Sequence, residues 1–105
     1  MPQYDLYRNP NPETQETFPF LVDVQADLLE ELETRTVIPL SHAVALTTFP
    51  MLQLMPIVAV EGKAYAVVTP QLAGIARVDL GSPAGSLAGY KHAISTALDL
   101  LVRGF

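Results

Sequence analysis

The stretch FPFLVDVQADLLEELETRTVIPL, Phe18 to Leu40, decides how this chain is read. Its two ends carry strand patterns and its middle does not. In residues 18–25, Phe20, Val22 and Val24 take alternate positions, which puts them on one face of a strand. Pro19 has no N–H to give a ladder, so it belongs at the strand's start or on an edge. Residues 36–41, TVIPLS, form a second short apolar strand, expected to end at Pro39. Between them, Leu28, Leu29 and Leu32 stand among Asp27, Glu30, Glu31 and Glu33. That composition fits either one helical turn or a polar loop, and its carboxylates read most simply as a solvated surface.

Outward from this stretch the strand patterns continue. QYDLYR, residues 3–8, alternates Tyr4 and Leu6 with polar neighbours and predicts a first strand, followed by a loop rich in Asn and Pro around Asn9–Pro12. Residues 41–55 read as a mostly irregular connection. PIVAVEGKAYAVVT predicts a hairpin, strands 56–60 and 64–69, with Gly62 supplying the positive φ of a tight loop. Thr69-Pro70 opens a single helical turn, IARVDL (75–80) predicts a last strand, and GSPAG a turn. Ser86 then caps a helix from Leu87 to about Arg103. Leu87, Tyr90, Ile94, Ala97, Leu98 and Leu101 form its apolar stripe, and Asp99 and Arg103 lie opposite, four residues apart.

One domain accommodates all 105 residues. Half the residues are hydrophobic, only 16% are charged, and mean hydropathy is +0.28. A surface so poor in charge predicts that apolar area is covered by another subunit. The apolar runs are far shorter than the roughly 18 residues of a membrane span. No secretory leader pattern opens the chain, so a cytoplasmic location is expected. Without cysteine there is neither a disulfide framework nor a thiolate metal site. The net charge is −5 and the cations Arg8, Arg35, Lys63, Arg77, Lys91 and Arg103 are dispersed, which argues against direct binding of nucleic acid.

Catalytic patterns are likewise missing from the sequence. His42 and His92 stand apart from other ligand types, so no metal or other cofactor is expected. Ser41-His42 lacks the strained turn of a nucleophile elbow and reads as a surface pair. Asp23 and Asp27 are a candidate carboxylate pair, but Asp27 reads better as closing a turn through its side chain. The residues alone describe a small acidic binding protein, not an enzyme, and a homodimer.

Taken in order, FLVDVQADLL, RTVIPL, the MPIVAVEG hairpin and a terminal helix ending in Gly plus an apolar residue resemble the CcdB family over about Tyr4 to Phe105. Members are the toxins of type II toxin–antitoxin modules on plasmids and chromosomes. The resemblance implies a mainly β fold with a C-terminal α-helix. This is a dimeric SH3-like barrel of the CcdB/MazF type, an antiparallel sheet with a small subsidiary sheet. It implies a non-catalytic poison that binds the DNA gyrase A subunit and traps the gyrase–DNA cleavage complex. It also implies a CcdA-like antitoxin whose disordered segment neutralises the toxin, with autorepression of the operon and contact with operator DNA only through the antitoxin. The gyrase-binding residues it carries over are Leu28 and Leu29, after V-D-V-Q-x-D, and Asp99, Val102, Arg103, Gly104 and Phe105 at the end of the last helix.

The same positions have simpler uses. Leu28 and Leu29 fit a core position at a strand end as well, Val102 and Phe105 fit packing on the body or a dimer interface, and Asp99 and Arg103 fit an exposed ion pair. The best-known members end in Trp-Gly-Ile, with the indole on an arginine of gyrase; here Arg103-Gly104-Phe105 stands instead. An arginine there loses a cation–π contact of about 0.5–2 kcal/mol and adds like-charge repulsion. Two other readings stand beside the poison: a decayed toxin that keeps only antitoxin binding and corepression, motivated by Arg103, and a messenger-RNA endoribonuclease of the same fold, which the net charge of −5 and the dispersed cations weigh against. The exposed loop 9–16 and the connection 41–53 are candidates for the antitoxin's contact. A dimer mass is expected by sedimentation at micromolar concentration; a monomer would count against both the composition and the resemblance.

Overall fold

The computed structural model describes residues 2–29, 31–43 and 49–104. Alternating patterns become strands β1 (Asp5–Arg8), β2 (Phe20–Asp23), β3 (Thr34–His42), β4 (Ile57–Val60), β5 (Lys63–Val67), β6 (Ala73–Ala76) and β7 (Gly85–Ser86). Helices α1 (Phe49–Leu54) and α2 (Lys91–Arg103) complete the elements, with one-turn 3-10 helices at Asp27–Leu29, Thr69–Gln71, Arg77–Asp79 and Ala88–Tyr90. All strand pairs are antiparallel, in the order β4-β5-β3-β2-β1-β7, with β6 beside β3. The sheet curls into a half-barrel that fits the SH3-like class, with the C-terminal helix against it.

β3 organises this sheet. One edge lies along β2; the other pairs first with β6 (Thr34–Val37) and then with β5 (Leu40–His42). The expected subsidiary sheet is therefore a branch off β3. Pro39 does not end the strand, contrary to the sequence expectation. Thr36 faces β2 through its carbonyl, so by alternation Pro39 turns its nitrogen the other way, into the gap between β6 and β5. No ladder bond is needed there, and its carbonyl still accepts from Val68 N at 2.9 Å.

The strands bury both faces. Phe20, Val22 and Val24 join Ile38, Leu40 and Val67 in the main core, closed by Leu87 and Ile94 from the C-terminal segment. Tyr7, Leu21, Val37 and Leu80 form a smaller cluster on the opposite face, with Ile75 against it. In the hairpin, Glu61 and Gly62 have φ of 52° and 79°, the left-handed pair of a type I′ turn.

Three expectations are corrected outside the core. Residues 49–54 are helical, whereas the connection 41–55 was expected to be irregular; residues 44–48 lie outside the described residues. The strand expected at 75–80 is displaced to Ala73–Ala76, and Arg77–Asp79 forms a 3-10 turn. Ser86 Oγ does accept from Ala88 N, at 3.1 Å, but Leu87 holds the N-cap position of the 3-10 turn that follows, and α2 begins only at Lys91. The stripe is otherwise as expected through Leu98, whereas Leu101 is 40% exposed.

Where the β2–β3 ladder ends, an ion pair lies entirely out of water: Arg35 Nε donates to Asp23 Oδ2 at 2.7 Å, and both side chains are fully buried. Desolvating two charges is costly, so removing one partner is far worse than replacing both. Asp23→Ala is expected to lower stability by about 3–5 kcal/mol in urea denaturation. The joint change Asp23→Leu with Arg35→Met should recover most of it; a small loss in the single variant would refute this account.

Candidate protein-binding site

Past Asp23 the β2–β3 ladder ends in side chains. Val24 N–H still donates to Thr36 O at 3.0 Å. The reciprocal groups turn to amides: Thr36 N donates to Gln25 Oε1 at 3.0 Å, and Val24 O accepts from Gln3 Nε2 at 3.0 Å. Asp23, held by Arg35 through Oδ2, accepts from Gln25 N through Oδ1 at 2.9 Å. The chain thus leaves the sheet at a fixed angle.

The 3-10 turn Asp27–Leu29 follows directly. Leu29 N donates to Ala26 O at 2.9 Å, Gln25 Nε2 donates to Leu29 O at 2.8 Å, and Leu32 N to the same carbonyl at 3.1 Å. Asp27 Oδ1 accepts from Gln3 N at 2.7 Å, so Asp27 ties the turn to the chain's beginning and does not close a local turn as expected. This scaffold presents Leu28 at 96% exposure, with Leu29 and Leu32 each at 48%. None of the three is in the core.

At the other candidate position, α2 ends in a left-handed cap. Gly104 has φ of 81° and its N–H donates to Leu100 O at 3.0 Å. A side chain would strain that backbone, which explains the glycine without a partner. Val102 is 78% exposed, and Asp99 and Arg103 are also exposed. They form no ion pair among the described residues, contrary to the simpler reading of that spacing. Phe105 lies outside the described residues. Beside the helix end, an apolar groove of about 550 Å³ runs between α1 and α2, lined by Leu52, Pro56, Ala93, Leu100 and Gly104.

Elsewhere the candidate groups have structural partners. His42 and Ser41 are successive residues of β3 and project to opposite faces, and the His42 ring lies 5.1 Å from Tyr65. In the loop after β1, Asn9 Nδ2 donates to Thr14 Oγ1 and to Phe18 O, both at 2.9 Å. Burial, with the charges of Asp5 and Asp23 adding to it and Arg35 opposing, pushes the Tyr7 hydroxyl pKa up. Burial likewise raises the Asp5 carboxyl, helped by Asp23 and Asp27. Among the described residues no three His, Asp or Glu side chains converge as a metal site, and no helix is long and apolar enough to cross a membrane.

Sequence reasoning missed Gln3, Gln25, Thr36 and Arg35 as supports of the turn. A signal for them exists: V-D-V-Q places two polar side chains in a strand pattern otherwise apolar, and such residues must be bonded when buried. Because Leu28 and Val102 contact little, Leu28→Ala and Val102→Ala should each change folding stability by no more than about 0.5 kcal/mol in thermal melts. A loss of several kcal/mol would mean they are packing residues.

The family model described as CcdB protein matches residues 3–104. No curated protein matches the chain at a significant level.

Proposed function

Because the chain belongs to the CcdB family, whose members are toxins of type II toxin–antitoxin modules, we propose that it binds the DNA gyrase A subunit and traps the enzyme on cleaved DNA. In this reading it acts as a homodimer without catalysis of its own. A CcdA-like antitoxin neutralises it, and the toxin–antitoxin complex represses their operon, touching operator DNA through the antitoxin.

The observation that carries the reading is the exposure of Leu28, held out at 96% by a hydrogen-bonded turn. An apolar side chain presented to water in a defined geometry gains about 1.5–3 kcal/mol when a partner buries it. Leu29 and Val102 add apolar area, and Asp99, Arg103, Gly104 and Phe105 complete the proposed gyrase-facing set.

One observation favours a second reading. Arg103 is exposed at the place where better-known members carry Trp, and Asp99 does not neutralise it. An uncompensated guanidinium facing an arginine of gyrase weakens the poison, which favours a toxin reduced to antitoxin binding and corepression. The endoribonuclease reading has less support, because Arg8 and Arg35 already engage Glu61 and Asp23.

The experiment is a DNA-cleavage assay with purified gyrase, ATP, supercoiled plasmid and this protein. Linear DNA is expected after denaturation, and it should disappear when residues 103–105 are removed. Absence of linear DNA with the host's own gyrase, together with intact antitoxin binding, would move the corepressor reading ahead. Cleaved total RNA would overturn both.

A further inference from the structure

We propose that Gln25 is a positioning residue: its carboxamide holds the turn bearing Leu28 and Leu29 ready for a partner that Gln25 itself does not touch. The partner's identity rests on the gyrase reading above; the positioning does not.

A three-residue 3-10 turn does little to hold itself. Its one internal bond runs from Leu29 N to Ala26 O, and Leu28 has almost no packing to anchor it. Asp27 Oδ1 ties its first residue to Gln3 N, and Leu32 N donates to Leu29 O from beyond it, but the link from the turn to β3 is Gln25, which is only 7% exposed. Nε2 donates to Leu29 O at 2.8 Å while Oε1 accepts from Thr36 N at 3.0 Å. One planar amide therefore spans the turn and β3. Its backbone N–H is in turn held by Asp23 Oδ1, which belongs to the buried ion pair. The bridge is directional: a donor toward the turn, an acceptor toward the strand. Glutamine supplies both, whereas ionised glutamate keeps the shape and the acceptor but sets oxygen against the Leu29 carbonyl.

A loosened turn must be ordered again on binding, which weakens affinity without removing any contact. Gln25→Glu is the discriminating variant, and Gln25→Met, which buries no acid, reads the same way should the glutamate variant fail to fold. Two readouts on the full chain separate positioning from general support of the fold. First, backbone order parameters of Leu28 and Leu29 should fall from about 0.85 to below about 0.6, while those of β2 and β3 hold. Second, calorimetry with the gyrase A subunit should show Kd about tenfold higher, the size of one lost hydrogen bond. In a Leu28→Ala background the same change should cost less than about twofold, because the anchor it positions is gone.

A turn that stays ordered in the variant overturns the proposal, as does an undiminished loss in the Leu28→Ala background. If the unaltered protein does not bind gyrase A, the functional reading fails, and the order parameters alone decide whether Gln25 positions the turn.

Discussion

A guanidinium and a carboxylate in contact, both shut away from water, tie this sheet to one arrangement. Strand side chains alternate between faces, so sliding β2 against β3 by one residue would separate Asp23 from Arg35 and leave two charges buried apart. The register of the central strand pair therefore follows from electrostatics as well as from the apolar alternation. The same aspartate uses its second oxygen on Gln25 N, where the chain leaves the sheet. A device that holds the fold together also sets the direction of the segment that carries the exposed Leu28.

The legible part of the fold was its periodicity. Phe20, Val22 and Val24 share the main core as their spacing implies, and Glu61-Gly62 makes the hairpin turn that a glycine after an apolar run announces. Ile94 and Ala97 bury as a helical stripe should. Misreadings arose where tertiary context overrides a local rule. Pro39 looks like a strand end because proline lacks an N–H, yet β3 changes partners at that point and asks for no donor. The helix at 49–54 carries a proline and no marked amphipathic repeat, so periodicity gave no hint of it.

Of the candidate site, the sequence displayed the residues but not their state. Leu28, Leu29 and Leu32 among carboxylates are equally compatible with packing and with display, because composition does not say which way a turn faces. That orientation comes from the side chains of Gln3, Gln25 and Asp27, whose partners lie 21, 11 and 24 residues away or only in the folded turn. Gly104 shows the converse: a glycine that resemblance assigns to a partner's approach has a sufficient cause in the helix's own left-handed end.

The partner switch along β3 also bears on when this protein can acquire its shape. β3 follows β2 closely in the chain, but its first half pairs with residues 73–76 and its last residues with 65–67. Closing such distant pairings is slow compared with forming local ones. On a ribosome, a nascent chain that has released only β1 to β3 exposes one whole edge of its longest strand. That edge is covered only after β6 has emerged, with α2 still to come. Because the exposed turn at Asp27–Leu29 is braced on β3, its geometry is complete only late in synthesis, and the unfinished chain is the form most in need of protection from its neighbours.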